Sequence, residues 1–322
     1  MNRCARVHPV FVLFFLLLMV QVRAKEAGLL DRSFDPGTGA DSDIRALLVY
    51  PTGEALIGGA FTNFDGRGRA GIARLLPAGV LDTSFDTGAG IGGVGHWQSG
   101  RAVEALAVQT DGKVIAGGAF TEFNGQLHLR LARLDATGVP DPGFNATVTD
   151  ASDPVAPVHN GAFSSAVRVR ALAIDQKGRI LIGGVFTYVN GVARPNLARL
   201  NPDGSTDEDF ALDSPFSYND EVVFVHLRED GRILIGGVAS SVIRRQSVRT
   251  RGRRPAGTRR IDPSFQVNLP FGFVANSLAP VSSGQALVGK YLMDGQPNQT
   301  ACFIGLRSMV RASLNSSAKC RE

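Results

Sequence analysis

Arginine and aspartate recur in this chain at one fixed offset: Arg74 and Asp82, Arg133 and Asp141, and Arg199 and Asp207 are each eight residues apart. Carboxylates supply general acids and bases, and a guanidinium beside one can bind a polar ligand. A pair that returns in every unit is better read as a scaffold device, a cross-strand or unit-to-unit ion pair worth about 0–1 kcal/mol when exposed. Acids outside these pairs, such as Glu104 and Asp150, have no local context that raises them. The histidines His96, His128, His159 and His226 are scattered without metal-ligand spacing. No HExxH, Walker glycine loop, G-x-S-x-G elbow or cysteine-rich metal frame occurs. No catalytic residue, metal or cofactor site is therefore expected.

The elements that must carry these residues are marked by a second repeat. LIGGAF, IAGGAF, LIGGVF, LIGGVA and a worn LVGKYL place glycines at Gly58, Gly117, Gly183, Gly236 and Gly289, and GRILIGGV is spelled twice, from Gly178 and from Gly231. Periods of this size mark units too small to bury their own apolar faces. In the second unit, VEALAVQ from Val103 reads as a strand and Asp111-Gly112 as the positive-φ pair of a tight hairpin. KVIAGGAF returns, Asn124-Gly125 turns, LHLRLARL is a third strand, and VPDPGF follows a turn at Gly138 as a fourth. Asp65-Gly66 and Asn190-Gly191 occupy the matching second turn in units one and three. The fold expected is all-β, a β-propeller of about five four-stranded blades, the last two degenerate.

Glycine inside a strand marks a bulge or a close backbone approach. No helix follows to offer its N-terminus to an anion, so the Gly-Gly pairs are expected to let neighbouring blades pack, with Phe61, Phe120 and Phe186 just beyond. Gly28 to Phe34 matches Gly79 to Phe85, the end of a blade, while the fifth copy lacks that strand. Ring closure is expected by the N-terminal strand joining the last blade, with Leu30 to Phe34 near Phe303, which removes exposed sheet edges.

Residues 1–24 read as a signal peptide: Arg3 and Arg6, an apolar run from Val10, and Val22-Arg23-Ala24 as a cleavage pattern. The run is shorter than the roughly 20 residues that span a bilayer. Residues 25–322 are then the propeller, exported without a membrane span to the periplasm, the cell surface or the medium. Cys302 and Cys320 remain after cleavage; export permits them to pair, and the sequence leaves their connectivity open. The net charge of +5 misleads, because eight arginines lie between Arg244 and Arg260. Without these and the leader's three, 23 of the 34 basic residues face 29 acids. The arginine run is either a basic patch or the product of compensating reading-frame shifts, the second being preferred. It holds no aromatic to stack bases, so nucleic acid is not an expected partner.

ALAVQTDGKVIAGGAFTEFNG, LARLDATG and LDTSFD together resemble the delta-60 repeat family, a bacterial β-propeller repeat of exported and surface proteins. The resemblance covers nearly all of the chain after the leader and implies a propeller and export, with no established activity. It fails after Gly237, where the Asn-Gly turn and Ala-Arg-Leu are replaced by the arginine run.

In a four-stranded blade the second turns share a face with the links between blades, and the longest links run before Arg101 and before Val167. They bring His96, Trp97 and His159 toward the face of Phe64 and Phe123, and loops on a rigid scaffold are where recognition residues concentrate. The function expected is a non-enzymatic, exported scaffold binding protein or glycan through these five residues. The alternatives are a propeller glycoside hydrolase or lyase, and an inactive or frameshifted fragment of a longer repeat protein.

Overall fold

The computed structural model describes residues 33–93, 100–150, 167–212, 221–228, 233–238, 246–248, 258–259, 261–262, 273–281, 285–292 and 303–306. The segment Met1–Ser33 is a unit of its own, and all that follows concerns Phe34–Glu322. The signal peptide and Leu30 lie outside the described residues.

Each of the five repeats builds one antiparallel sheet. The first three join Ile44–Val49, Ala55–Gly59 and Ile72–Leu75; Ala102–Val108, Val114–Ala119 and Leu131–Leu134; and Arg168–Ile174, Ile180–Val185 and Leu197–Leu200. The fifth joins Phe273–Val281, Gln285–Leu292 and Phe303–Leu306. The expected fourth strand is reduced in the first three sheets to single bridges, Leu75 to Leu81, Leu134 to Pro140 and Leu200 to Thr206. A proline at 140 has no N–H for a longer ladder. Only the fourth sheet, among the described residues, has four strands: Glu221–Leu227, Ile233–Val238, Gln246–Val248 and Ile261–Asp262. Part of the arginine-rich segment is thus strand.

The turns are of two kinds. At the second turn Asp65, Asn124 and Asn190 and the glycines after them all have positive φ, as a two-residue hairpin loop requires. The first turn departs from expectation: Gly112 has φ +82° but Asp111 is not left-handed. Gln109 and Lys113 bracket a three-residue loop, with Gly112 N–H donating to the Gln109 carbonyl. The third turn, at Gly79, Gly138 and Gly204, repeats that pattern.

The Gly-Gly pairs are where the sheets meet. Register slips by one residue between Val103 and Ala105, opposite Gly118 and Gly117, leaving Glu104 as the extra residue of a β-bulge. Arg45, Arg170, Val223 and Asn276 are its counterparts. A Cβ on the second glycine would lie 2.0 Å from the Asp43, Ala102 or Arg168 carbonyl oxygen across the bulge. A Cβ on the first glycine would meet the next sheet: Val103 Cγ1 at 2.7 Å from Gly58, Val169 Cγ1 at 2.7 Å from Gly117, and Val222 Cγ1 at 2.5 Å from Gly183. The second, third and fourth sheets therefore each seat a valine in a glycine hole of the sheet before. The core lies between sheets: Leu56, Ile72 and Phe85 pack with Val103, Phe120 and Leu134, and Ile115, Leu131 and Phe144 with Val169, Ile182 and Leu200.

The recurring Arg–Asp pairs are scaffold. Nε of Arg74, Arg133 and Arg199 lies 2.7, 3.0 and 2.6 Å from Asp82, Asp141 and Asp207, across the strands of one sheet. The same guanidinium groups sit 4.9, 4.6 and 4.7 Å over the rings of Phe85, Phe144 and Phe210. Arg74 and Arg133 also donate to the next sheet's third turn, at the Ala136 and Pro202 carbonyls. Backbone ties follow the same step, Asp86 N–H to Thr137 and Asp35 N–H to Ala78.

Candidate functional site

The start of every first strand and the end of every second strand lie on the side of the links and second turns. The links are stitched there. Ile91–Gly92 pairs with Glu122–Phe123, Val148–Thr149 with Tyr188–Val189, and Ala40 bridges Phe64. The second-turn side chains complete the stitch: Asp65 accepts from Thr38 N–H at 3.0 Å, Asn124 from Ala89 N–H at 3.1 Å, and Asn190 from Thr147 N–H at 2.8 Å. A turn residue that tolerates positive φ and offers an acceptor serves both ends of the contact.

Across this side runs a chain of charges carried by the first strands. Asp43 and Glu104 both lie 3.3 Å from Arg45. Glu104 Oε2 lies 3.7 Å from Arg170 Nε and 4.0 Å from Arg168 Nε. Glu221 Oε1 accepts from Arg168 Nη2 at 2.7 Å and Arg170 Nη1 at 3.0 Å. Four sheets are linked, and three of the residues, Arg45, Glu104 and Arg170, are the bulged ones. A bulge re-aims a side chain, which explains why residues one apart from ordinary strand positions converge.

The two glutamates differ. Burial pushes Glu104 up against the opposing pull of Arg170, Arg168 and Arg45, and burial wins. In Glu221 burial also raises, but Arg170 and Arg168 outweigh it and hold the carboxyl below the usual range. Glu104 Oε2 is enclosed yet accepts no hydrogen bond, an uncommon state for a buried carboxylate oxygen. Sequence reasoning passed Glu104 over; the signal is its place one residue after the valine that faces a Gly-Gly pair.

Of the residues expected to bind, His96, Trp97 and His159 lie outside the described residues. Their flanks do not: Gly93 and Gly100 bound one link, Asp150 and Val167 the other, each next to a stitched hairpin. Phe64 and Phe123 are buried, 1% and 0% exposed, and meet Phe61 and Phe120 edge to face at 6.4 and 6.2 Å. They anchor the hairpins and present no surface, because a two-residue hairpin alternates one side chain outward and one into the core. His128 is buried with its pKa lowered by desolvation, a core histidine.

Arg130 was also missed. It has φ +68°, where its counterparts are Gly71 and Asn196, and it is 3% exposed. Nε donates to the Val167 carbonyl at 3.3 Å. Burial lowers its pKa to about 10, with Asp150 pulling the other way. It holds both flanks of the longer link, at the cost of a left-handed backbone that an arginine rarely adopts.

A family model described as a domain of unknown function (DUF5122) beta-propeller matches residues 51–85, 109–144 and 178–210. The chain carries β-propeller repeats; the match supports that kind of repeat and not the narrower delta-60 name. A search of curated proteins found no match. Similar solved structures include a protein of unknown function from Bacteroides caccae, at 10% identity and TM-score 0.46 over 83% of this chain and 78% of that one. A PQQ-bound aldose sugar dehydrogenase from Streptomyces coelicolor is 14% identical, with TM-score 0.42 over 85% and 81%. A GH43 endo-arabinanase from Bacillus licheniformis is 9% identical, with TM-score 0.36 over 84% and 94%. The expectation of a non-enzymatic chain is corrected here: the similar structures include a sugar dehydrogenase and an endo-arabinanase.

Proposed function

We propose that this is an exported propeller that recognises a polar ligand, protein or glycan, on its link side. The observation that supports the reading is the first-strand charge chain from Asp43 to Glu221, on the side from which both long links depart. Guanidinium and carboxylate groups offer donors and acceptors together, which suits hydroxyl-rich or mixed-charge partners. His96, Trp97 and His159 of the two links are proposed as a ligand-contacting rim, because an indole can stack on a sugar ring or anchor a protein side chain. Export and surface display follow from reading residues 1–24 as a leader. The test is retention of the protein on immobilised peptidoglycan and on neutral and acidic polysaccharides. Trp97→Ala and deletion of residues 155–162 are expected to weaken retention about tenfold; unchanged retention in both removes the rim from the site.

A second reading has one observation behind it. Glu104, raised, and Glu221, lowered, lie within 4 Å of the same guanidinium, at 3.7 and 3.0 Å from Arg170. Environments that push two carboxyls apart in pKa divide an acid from a base. Release of soluble sugar from one of those polysaccharides, abolished by Glu104→Gln, is the result expected of a glycoside hydrolase or lyase.

A further inference from the structure

Within the charge chain, Arg168 and Arg170 converge on a single atom. Glu221 Oε1 accepts from Arg168 Nε at 3.0 Å, from Arg168 Nη2 at 2.7 Å and from Arg170 Nη1 at 3.0 Å. A carboxylate offers about four lone-pair sites over its two oxygens, so three N–H groups crowd one oxygen. Glu221 Oε2 accepts nothing among the described residues. Glu104 does not relieve the crowding: its Oε2 stands 3.7 and 4.0 Å from the two Nε atoms and accepts no hydrogen bond. A scaffold arginine is used differently. Arg74 donates from all three nitrogens, to Asp82, the Ala136 carbonyl and Ser84, whereas Arg168 donates from two and Arg170 from one. Arg168 Nη1 and Arg170 Nη2 have no partner among the described residues, on side chains that are 16% and 34% exposed. Two adjacent guanidinium groups are thus short of acceptors on a side reached by solvent.

We propose that Arg168 and Arg170 bind a carboxylate of the ligand, the uronate group of an acidic glycan, through Arg168 Nη1 and Arg170 Nη2. This rests on the reading of the link side as the ligand site and names the ligand's class. Charge-assisted hydrogen bonds from guanidinium to carboxylate are among the strong ones and favour a planar anion. Glu221 Oε2 is left to accept from a hydroxyl of the same sugar ring. An acidic peptide brings carboxylates without hydroxyl donors beside them, so open guanidinium donors next to an open carboxylate oxygen favour the sugar acid. Glu104 leaves the positive charge of the arginines incompletely cancelled. Burial raises its carboxyl against the pull of Arg170, Arg168 and Arg45, and Glu221 adds to the rise, which disfavours the charged form.

Calorimetric titration of the full chain with trigalacturonate, its methyl ester and neutral maltotriose tests this. Trigalacturonate is expected to bind at least about tenfold more tightly than the ester, the share of one charge-assisted pair, and Arg170→Ala is expected to erase the difference. Equal affinity of the wild type for acid and ester overturns the proposal, whether or not the variant folds. A preference for the acid that survives Arg170→Ala, as binding by the arginines between Arg244 and Arg260 would give, also overturns it. Retention on neutral polysaccharide or peptidoglycan without preference for the acid removes this inference alone and leaves the link-side reading standing. Binding to none of these removes both.

Discussion

At the scale of single residues, the two glycines of each pair do different work and should fail differently. Gly117→Ala places a methyl group 2.7 Å from a Val169 methyl, and Gly118→Ala places one 2.0 Å from a carbonyl oxygen held by a bulge. A side chain can turn away; that carbonyl cannot without undoing the ladder. Gly117→Ala is expected to cost about 1–3 kcal/mol and to be largely restored by Val169→Ala, while Gly118→Ala costs more and gains nothing from it. Denaturant melts of the double-mutant cycle decide this, and equal costs with no coupling would contradict the packing account. The alternating apolar runs and paired glycines made this contact legible in outline. The glycines also marked a bulge or a close approach; which residue of the facing strand is the extra one was not legible, since a one-residue slip leaves no compositional trace there.

Titration separates the two glutamates at the same scale. Glu221 has a folded pKa below its unfolded value of about 4.3, so its stabilisation is present above that pH and is lost as pH falls through the folded value. Glu104 is raised, so its favourable contribution is present below about 4.3 and is lost as pH climbs toward the folded value. Glu221→Gln is expected to flatten the acid limb of Tm against pH. Glu104→Gln is expected to gain on the wild type as pH rises above about 4.3. Parallel changes of Tm with pH in the two variants would contradict these opposite directions.

At the scale of elements, the links are fixed to second-turn hairpins by side chains as well as by strand pairing. Arg130→Gly keeps a residue content with φ +68° but removes the bond to Val167 and the charge facing Asp150. Tm should move by only a few degrees while thermolysin cuts within residues 151–166 several times faster; unchanged cleavage would show that Arg130 does not anchor the link. The side on which the links emerge was readable from turn spacing, because hairpin order dictates it. What Phe64 and Phe123 do was not, because an aromatic beside a turn reads alike whether it faces water or core. The first turn was misread as a two-residue loop for a related reason: Asp-Gly suits both that loop and a longer one with glycine last. The third-strand arginines act as latches between sheets. Arg133→Lys keeps the charge but loses the planar fork that reaches Asp141, the Pro202 carbonyl and Phe144 together. A loss of about 2 kcal/mol in chemical denaturation is expected, against near neutrality if only charge mattered.

At the scale of the whole molecule, five repeats build five sheets, and the second, third and fourth each lean on the one before through a valine and a glycine. That periodic contact was the strongest signal in the sequence because it is spelled in residue types with few substitutes. The charge chain is in part its by-product: the bulges of the first three sheets turn Arg45, Glu104 and Arg170 toward the same side, and Glu221 of the fourth sheet extends the chain from an ordinary strand position. No repeat-to-repeat comparison showed this, since Arg45, Glu104 and Arg170 share a position and differ in type.

The claim that function resides on this side is tested most directly by comparing retention on the immobilised polysaccharides and peptidoglycan for variants of opposite faces. Glu104→Gln with Arg170→Ala alters the link side; Asp111→Ala with Thr137→Ala alters the first and third turns. Loss of retention by about tenfold or more in the first pair, with wild-type retention in the second, is the expected result. Retention that survives the first pair and falls with the second would place recognition on the other face and contradict the account.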